Sequence, residues 1–511
     1  MFSFPEPKGL IRRMGAGKST IGVELEFLVA VAQPNQKPLN VPRMFQKSNG
    51  APIVLPRDGS QETVGPTLLR IENTIKTAAA KHRGARVFGP KDEEALDKAT
   101  GVNGVDTDLI HLRRYQDWSV GRDLSVYLDY EEIEDQEHIS DYLWQNIEIA
   151  SPALWATDES WDEIRAVVQA LSEEYWIITP RSAGMHYHYG NGKNYIPFGK
   201  LRRMAALLVA VDPIIVQLHP EHRRDYDLAV SNRLYSRIAH GLPAEVTSRE
   251  LRVEYVEEEP EFPRVRASPA PAARPSLQRT PDLVVPFRRG QLKGYKFNPV
   301  TFFETGYPED AEAFANILVS KPRPLEIPYA VREILRCLNA PTVAELMRYS
   351  PILEDRPAYS FQNYTLDLYK RLSKSFGELD LQRQNKRTIE FRQMASTMEP
   401  DEVVAHGKII VRLCEFATEA DLEALWKVVL DCTVAEVNGA WFDVFDLLVE
   451  LGLAAEAKVL QHSVARFRGE TIPDEITLKE MSKEKSEETQ AAEERVVQRA
   501  WWRKWLGWRS G

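Results

Sequence analysis

The alternation of apolar and polar positions predicts two strands whose polar faces carry acids and imidazoles. In TIGVELEFLV, every second residue is apolar, so an extended chain places Glu24 and Glu26 together on the opposite face. In GMHYHYG, the same period of two places His186 and His188 on one face, with glycines at both ends that let another group approach. The second pattern favours a cation or phosphate site, although an isolated His-x-His is more often a structural pair.

Three further segments repeat this arrangement. WSVGRDLSV is predicted to be extended, with Asp123 and Ser125 on one face. RTIEFR is likewise predicted to be extended, with Glu390 and Arg392 on one face. QNIEIASP carries Glu148 between two isoleucines. Each segment alone is weak evidence, but together they predict a single sheet with a chemically active surface.

Helical periodicity predicts the elements around this sheet. The stretch from Trp161 to Trp176 has apolar residues at helical spacing, and residues 198–211 read as an amphipathic helix. Further helices are predicted at residues 68–81, 329–338 and 342–349, and along most of 400–467.

One segment near the N-terminus imitates a phosphate-binding loop. MGAGKST ends like a P-loop, in which glycines, a lysine and a hydroxyl group cradle phosphates and magnesium. The full motif needs a glycine where this chain has Arg12, and a strand pattern follows it instead of a helical one. We therefore assign no P-loop here.

Composition and charge narrow the class of protein. The 511 residues suffice for one large domain or several ordinary ones, and 43% hydrophobic with 27% charged residues is typical of globular proteins. A net charge of −10 argues against a nucleic-acid binder. Three widely spaced cysteines form no metal motif and favour a reducing compartment. We find no transmembrane run or signal peptide, so we expect a cytoplasmic or nuclear location.

Changes in composition divide the chain. A stretch rich in Pro, Ala and Arg predicts a disordered insertion, and the last residues combine arginines and tryptophans in a basic amphipathic helix. That helix fits a membrane surface, a partner groove or the protein's own domain. The predicted parts are a flexible N-terminus (1–19), a catalytic domain in two pieces (20–256 and 291–417) around the insertion (257–290), C-terminal helices (418–470) and the charged tail (471–511).

The candidate chemistry is that of a hard cation and a phosphate. Carboxylates with imidazoles and without thiolates suit magnesium or manganese, and Arg392 could neutralise a transferring phosphoryl group. The chain shows neither a Cys-His signature nor a G-x-S-x-G elbow. A metal-bridged nucleotide site therefore explains these residues better than covalent hydrolysis. The arginines at 223, 224 and 233 fit either carboxylate or phosphate recognition or a solvated charged face.

In chain order, these motifs resemble the amidoligase family. They are VELEF, WSVGRDLSV, IEIASP, GMHYHYG, HPEHR and IEFRQ, spread over residues 21–417. Amidoligases are carboxylate–amine ligases related to glutamine synthetase and glutamate–cysteine ligase, and many occur in fungi, which suggests a fungal source. Each motif has low specificity, whereas the ordered set is fairly specific.

The resemblance implies an α+β fold and a set of metal ligands. The fold would be a curved antiparallel β-sheet forming a funnel of the glutamine synthetase-like catalytic type, with flanking helices and a helical C-terminal part. One magnesium or manganese ion would be held by Glu26 and Glu148. A second would be held by Glu24, His186 and Glu390, although which carboxylate holds which ion stays open.

The resemblance also implies contacts with ATP. His188 would touch the nucleotide phosphates, and Arg392 the γ-phosphate. Glutamine synthetase usually has an arginine where this chain has Thr388, so Lys386 and Arg387 are the candidates to supply the missing contacts.

Candidate substrate-binding residues are less well defined. Arg223, Arg233 and Asn298 could bind the substrates. Asp123 and Ser125, on one predicted face, are further candidates for substrate binding, and Asp123 could instead replace a metal ligand or orient one.

The implied activity is ATP- and magnesium-dependent ligation of a carboxylate to an amine through an acyl phosphate. The predicted catalytic residues are Glu24, Glu26 and Arg392, and the partners are a small-molecule or peptide acid and amine. Two alternatives stay open. One is an inactive binding or scaffold protein on a ligase-like fold that docks through its tryptophan-rich tail, and the other is a metal-dependent hydrolase.

Overall fold

The computed structural model covers the elements that carry the motifs. It describes residues 19–32, 40–55, 63–83, 87–88, 117–129, 138–192, 194–224, 229–239, 241–251, 326–348, 356–365, 386–437 and 442–468. The predicted insertion and the predicted tail helix lie outside these ranges, and the division into domains stays a prediction.

Among the residues that the structure describes, ten strands form one open, mainly antiparallel sheet. They are β1 (Thr20–Ala32), β2 (Ile53–Val54), β3 (Val87–Phe88), β4 (Trp118–Gly121), β5 (Leu143–Ala150), β6 (Leu154–Trp155), β7 (Ile177–Ile178), β8 (Gly184–Gly190), β9 (Tyr359–Ser360) and β10 (Ile389–Ala395). The main path is β3-β4-β5-β1-β8-β10-β9, and β2, β6 and β7 pair with β1 beside it. The β1–β2 and β3–β4 pairs are parallel.

Helices complete an α+β fold. They are α1 (Val64–Arg83), α2 (Asp158–Glu174), α3 (Phe198–Ile215), α4 (Glu221–Arg224), α5 (Asn232–Tyr235), α6 (Ala244–Leu251), α7 (Ile327–Arg336), α8 (Ala340–Met347), α9 (Pro400–Glu419), α10 (Leu422–Val437), α11 (Val444–Glu450) and α12 (Ala454–Phe467). Within the described part of the chain, no helix has the length and apolarity needed to cross a membrane.

One face of the sheet is buried under helices. Its central strand β1 contributes alternate apolar residues from Ile21 to Val31 to the main hydrophobic core. Two hydrogen bonds connect this face to the helices. Trp118 Nε1 donates to Glu163 Oε1 of α2 at 2.8 Å, and the Tyr187 hydroxyl donates to the main-chain oxygen of Val403 in α9. The strong burial fixes which side chains of β1 must point the other way.

The opposite face, which we call the polar face, carries Glu24, Glu26, His186, His188, Glu390 and Arg392. Along β1 its character changes after Glu26, because Leu28 and Ala30 join a second, smaller hydrophobic cluster. That cluster also contains Trp176, Ile178 and Ala183. The polar face is therefore bounded by apolar packing at the C-terminal end of β1.

The structure confirms most of the predicted elements and corrects one strand. The strands predicted around VELEF, GMHYHYG and IEFR are present, and the predicted helices are observed with ends that differ by a few residues. WSVGRDLSV is a strand only as far as Gly121. Asp123 begins a turn, in which the N–H of Val126 donates to the main-chain oxygen of Asp123 at 3.3 Å. Leu124, within this turn, is 76% exposed. Thr20 begins a strand, which agrees with rejecting a P-loop.

Packing between the sheet and α9 leaves no room at Gly407. A Cβ at this position would lie 2.7 Å from Trp161 Cζ3 and 3.1 Å from Tyr187 Cε1. We therefore predict that Gly407→Ala lowers the free energy of unfolding by about 1–3 kcal/mol, despite the better helix propensity of alanine. Urea denaturation measures the change.

The matched control is Gly199→Ala in the exposed first turn of α3, where a Cβ would meet nothing within 4 Å. This substitution should be neutral or stabilising by up to about 1 kcal/mol. Equal effects of the two substitutions would contradict the packing described here.

Candidate metal and phosphate site

The strand register brings the predicted acids and imidazoles together. In the antiparallel β1–β8 pair, Glu24 lies opposite His186 and Gly22 lies opposite His188. In the β10–β8 pair, Glu390 lies opposite His188. Side chains of directly opposed residues share a face, and diagonal neighbours are within reach of long side chains. The Glu24 carboxylate reaches diagonally across the β1–β8 pair to the imidazole of His188.

Glu24, His188 and Glu390 form what we call the cation cluster. Each of the three offers one ligand atom, and these atoms lie within 4.8 Å of one another. His188 Nε2 is 2.9 Å from Glu24 Oε1, but the two groups are not aligned as a hydrogen bond. Adjacent ligands of an octahedral magnesium ion are about 3 Å apart. The donor types and this spacing fit a hard divalent cation.

Positive side chains surround the cation cluster. Lys386 Nζ lies 3.3 Å from Glu24 Oε1, and Arg392 forms an ion pair with Glu390. Burial opposes ionisation of both carboxyls. The charges of His188 and Lys386 nevertheless hold the pKa of Glu24 well below its usual range, and those of His188 and Arg392 lower the pKa of Glu390. Both carboxylates are therefore ionised at neutral pH.

Thr388 orients the imidazole of His188. Its Oγ1 lies 3.3 Å from His188 Nδ1, on the side of the ring away from Glu24. In neutral His188, donation from Nδ1–H to this hydroxyl would leave the lone pair of Nε2 directed at the carboxylates, which is the tautomer that a metal ligand requires. Thr388 stands where glutamine synthetase usually has an arginine, so this chain has a hydroxyl partner for the histidine there.

His186 connects the cation cluster to a second group of acids. Its Nδ1 lies 3.6 Å from Glu24 Oε2 and 3.6 Å from Glu26 Oε1. Burial lowers the pKa of His186, so its imidazole is neutral at pH 7 and able to act as a ligand.

Glu26, Glu148 and Asp123 form what we call the acidic cluster. Glu26 lies opposite Glu148 in the β1–β5 pair, and its Oε2 accepts a hydrogen bond from Gly184 N–H at 2.6 Å. Burial raises the pKa of Glu26 to about 8 despite this hydrogen bond, and the nearby charges of Asp123 and Glu148 add to the effect. The negative charges of Asp123 and Glu148 therefore favour the protonated form of Glu26.

Arg223 closes the polar face beside the acidic cluster. It is 2% exposed, and its Nη2 atom donates a hydrogen bond to the main-chain oxygen of Arg392 at 2.7 Å. A Cβ on Gly184 would lie 3.1 Å from Arg223 Nη2 and 2.8 Å from His186 Nε2. The glycine predicted to permit close approach therefore does so for an arginine and a histidine of the polar face.

Other predicted site residues lie further away. Arg387 has a φ of +57° and places its guanidinium over the Tyr195 ring, 5.1 Å from the centroid. Arg233 is 2% exposed and pairs with Glu436 of α10 at 2.9 Å, within the helical layers. Asn298 lies outside the described residues.

Asp123 and Ser125 share a turn instead of a strand face. Ser125 N–H donates to Asp123 Oδ1 at 2.7 Å, which fixes the carboxyl group in the loop that follows β4. The strand ends early, so the alternation that predicted a common face stops at Gly121. Asp123 nevertheless lies near enough to Glu26 for its negative charge to raise the pKa of Glu26.

Sequence reasoning did not find two supporting contacts. The Ser396 hydroxyl donates to the main-chain oxygen of Glu26 at 2.5 Å. Gln393 Nε2 donates to Oδ1 of the buried Asp212 at 2.6 Å, which ties the irregular part of β10 beside Arg392 to α3. Gln393 is the last residue of the IEFRQ motif, which could have indicated a role, whereas Ser396 lies outside every motif.

Comparison with known proteins agrees with the motifs. The family model described as "Putative amidoligase enzyme" matches residues 18–261, which include the cation-cluster residues Glu24 and His188. These residues, a little under half of the chain, are similar to the amidoligase family. No curated protein and no solved structure matches the chain.

The raised pKa of Glu26 predicts a pH dependence of stability in metal-free buffer. A carboxyl that binds its proton more tightly in the folded state loses stabilising effect as pH rises above its unfolded pKa. For Glu26 this loss begins near the ordinary glutamate pKa of 4.5 and is complete above a pH of about 8. We predict that the free energy of unfolding of wild type, relative to Glu26→Gln, falls between these limits by at most about 1.4 kcal/mol per pH unit.

Urea denaturation with a chelator present, repeated from pH 5 to 9, measures this difference. Glu423→Gln, at an exposed position of α10, is the matched control and should follow the wild-type pH profile. A constant difference between wild type and Glu26→Gln would show that the pKa of Glu26 is not raised.

Proposed function

We propose that this protein is an ATP- and magnesium-dependent ligase that joins a carboxylate to an amine. The observation that carries the proposal is the cation cluster of Glu24, His188 and Glu390, flanked by Lys386 and Arg392. Two carboxylates and an imidazole suit magnesium or manganese, and the adjacent cations suit phosphate oxygens. The similarity of residues 18–261 to the amidoligase family supports a ligase over other classes of protein that use such a site.

In the proposed reaction, an oxygen of the substrate carboxylate attacks the γ-phosphorus of ATP. The bond from that phosphorus to the β–γ bridging oxygen breaks, which yields an acyl phosphate and ADP. The amine then attacks the acyl carbon, inorganic phosphate leaves with the electrons of the broken C–O bond, and the nitrogen loses one proton, to the phosphate or to solvent, as the amide forms. A bound magnesium ion would supply charge neutralisation at the phosphate oxygens.

Each residue has a proposed task in this scheme. Glu24, His188 and Glu390 would hold the cation nearer the nucleotide, so His188 replaces the His186 implied by the family resemblance. Thr388 would keep His188 in the ligand tautomer. Arg392 would bind the transferring phosphoryl group, where its planar guanidinium is suited to paired oxygens.

The acidic cluster would hold a second cation. Glu26 and Glu148 face each other across β1 and β5, and Asp123 lies close enough to add charge or orient a ligand. Binding of a cation there would release the proton that Glu26 holds near neutral pH. His186 lies between the two clusters. It would either be a ligand of one of the two cations or keep the two cations apart.

We further propose that the polar face is the inner surface of a funnel, with nucleotide at one end and substrates at the other. The acidic cluster would repel phosphates but attract an amine, and Lys386 with Arg392 would attract phosphates. Arg223, buried beside Glu26, would present positive charge to a substrate carboxylate while it keeps its main-chain contacts.

The direct test uses hydroxylamine as a general amine. Purified protein with magnesium, ATP and a panel of carboxylic acids should release ADP and form a hydroxamate only with its own acid. We predict that Glu24→Gln lowers this rate by at least about 100-fold, because losing a ligand should exceed the 10- to 100-fold cost of losing a group that only orients ligands.

Glu423→Gln should retain the wild-type rate and serves as the matched control. Turnover of a substrate without nucleotide would instead indicate a metal-dependent hydrolase. A protein that produces no magnesium-dependent heat with ATP in calorimetry would favour the scaffold alternative. Either result would overturn the ligase proposal.

A further inference from the structure

A half-exposed tryptophan lies on the polar face beyond the cation cluster. Trp155 in β6 pairs with Thr20 across an antiparallel ladder, and Thr20 also pairs with Gly190 of β8. The alternation along β1 then places the indole on the same face as Glu24. The side chain is 49% exposed, although tryptophan is usually well buried.

The loop after β8 holds this indole from one side. Gly192 has a φ of +62°, and its N–H donates to Thr20 Oγ1 at 3.2 Å. A Cβ on Gly192 would lie 2.9 Å from Cη2 of Trp155. The absence of a side chain therefore lets the main chain pack against the benzo ring. About half of the indole surface is left accessible while the ring is held in place.

Charge indicates which ligand approaches this end of the polar face. The acidic cluster lies at the opposite end and repels anions. Lys386 reaches the cation cluster from the Trp155 end of β1, and Arg387 stacks on Tyr195, which belongs to the same loop as Gly192. A polyanion that touches the cation cluster is therefore expected to extend toward Trp155.

The distance matches a nucleotide. Thr20, opposite Trp155, and Glu24, in the cation cluster, are four residues apart on β1, or about 13 Å at about 3.3 Å per residue. This separation is comparable with that between the base and the terminal phosphate of an extended nucleoside triphosphate. A flat aromatic base would meet a held, half-exposed indole at that point.

We propose that Trp155 is the stacking platform for the base of the nucleoside triphosphate. This inference rests on the proposed function and assigns a residue that lies outside the cation and acidic clusters. Stacking of a base on an aromatic side chain contributes binding free energy without contacting the phosphates. Loss of Trp155 should therefore weaken binding of ATP but not of inorganic tripolyphosphate.

Calorimetric titration of the full chain with ATP and with tripolyphosphate, each with magnesium, tests this difference. We expect Trp155→Ala to weaken ATP binding about 5- to 100-fold and to leave tripolyphosphate binding unchanged. Trp155→Phe should retain most of the ATP affinity. Tyr127→Ala is the matched control, because Tyr127 is 63% exposed in the loop beside the acidic cluster, and it should bind both ligands like wild type.

Each outcome decides between the two proposals. If wild type binds neither ligand, the nucleotide-dependent function itself fails. If wild type and Trp155→Ala bind ATP equally well, or if the variant loses both ligands equally while its circular dichroism spectrum is unchanged, the stacking role is wrong and the ligase proposal stands.

Discussion

The register of β1 against β5 and β8 is the constraint on which the site depends. One face of β1 is apolar from Ile21 to Val31 and is buried under the helices, so its alternate residues must face the other way. A slip of one residue would bury Glu24 and Glu26 in the main core and expose the apolar set. The same packing that stabilises the fold therefore holds the carboxylates within reach of the histidines of β8.

Burial of the carboxylates on the polar face would destabilise the fold unless opposite charges lie nearby. Carboxylic acids and imidazoles share the polar face with few contacts to water, and isolated buried charges are strongly destabilising. The protein offsets part of the cost with Lys386, Arg392 and Arg223, and part by keeping Glu26 protonated near neutral pH. A divalent cation would relieve the remaining repulsion at both clusters. This cost motivates the proposal that the polar face binds cations.

Periodicity was sufficient to predict the strands and the faces on which their polar residues lie. GMHYHYG is β8 from its first residue to its last, and the apolar stripe of the helix predicted at 198–211 is buried in α3. These predictions succeed because burial of one face imposes a period on the chain that is visible without knowing its partners.

Contacts across strands were not predictable in the same way. The family resemblance implies His186 as a ligand, which stays a prediction, and the structure adds His188, which the pairing of β10 with β8 places opposite Glu390. Asp123 lies in a turn because β4 ends at Gly121, and the left-handed backbone of Arg387 sends its side chain to Tyr195. Each of these depends on a neighbour far away in sequence or on a local backbone conformation, which residue patterns do not encode.

Anomalous diffraction from crystals grown with manganese and a non-hydrolysable ATP analogue would show directly where the cation binds. We expect a manganese peak in contact with Glu24, His188 and Glu390, on the polar face. Manganese bound elsewhere, or a crystal in which these three side chains point to separate surfaces, would contradict it.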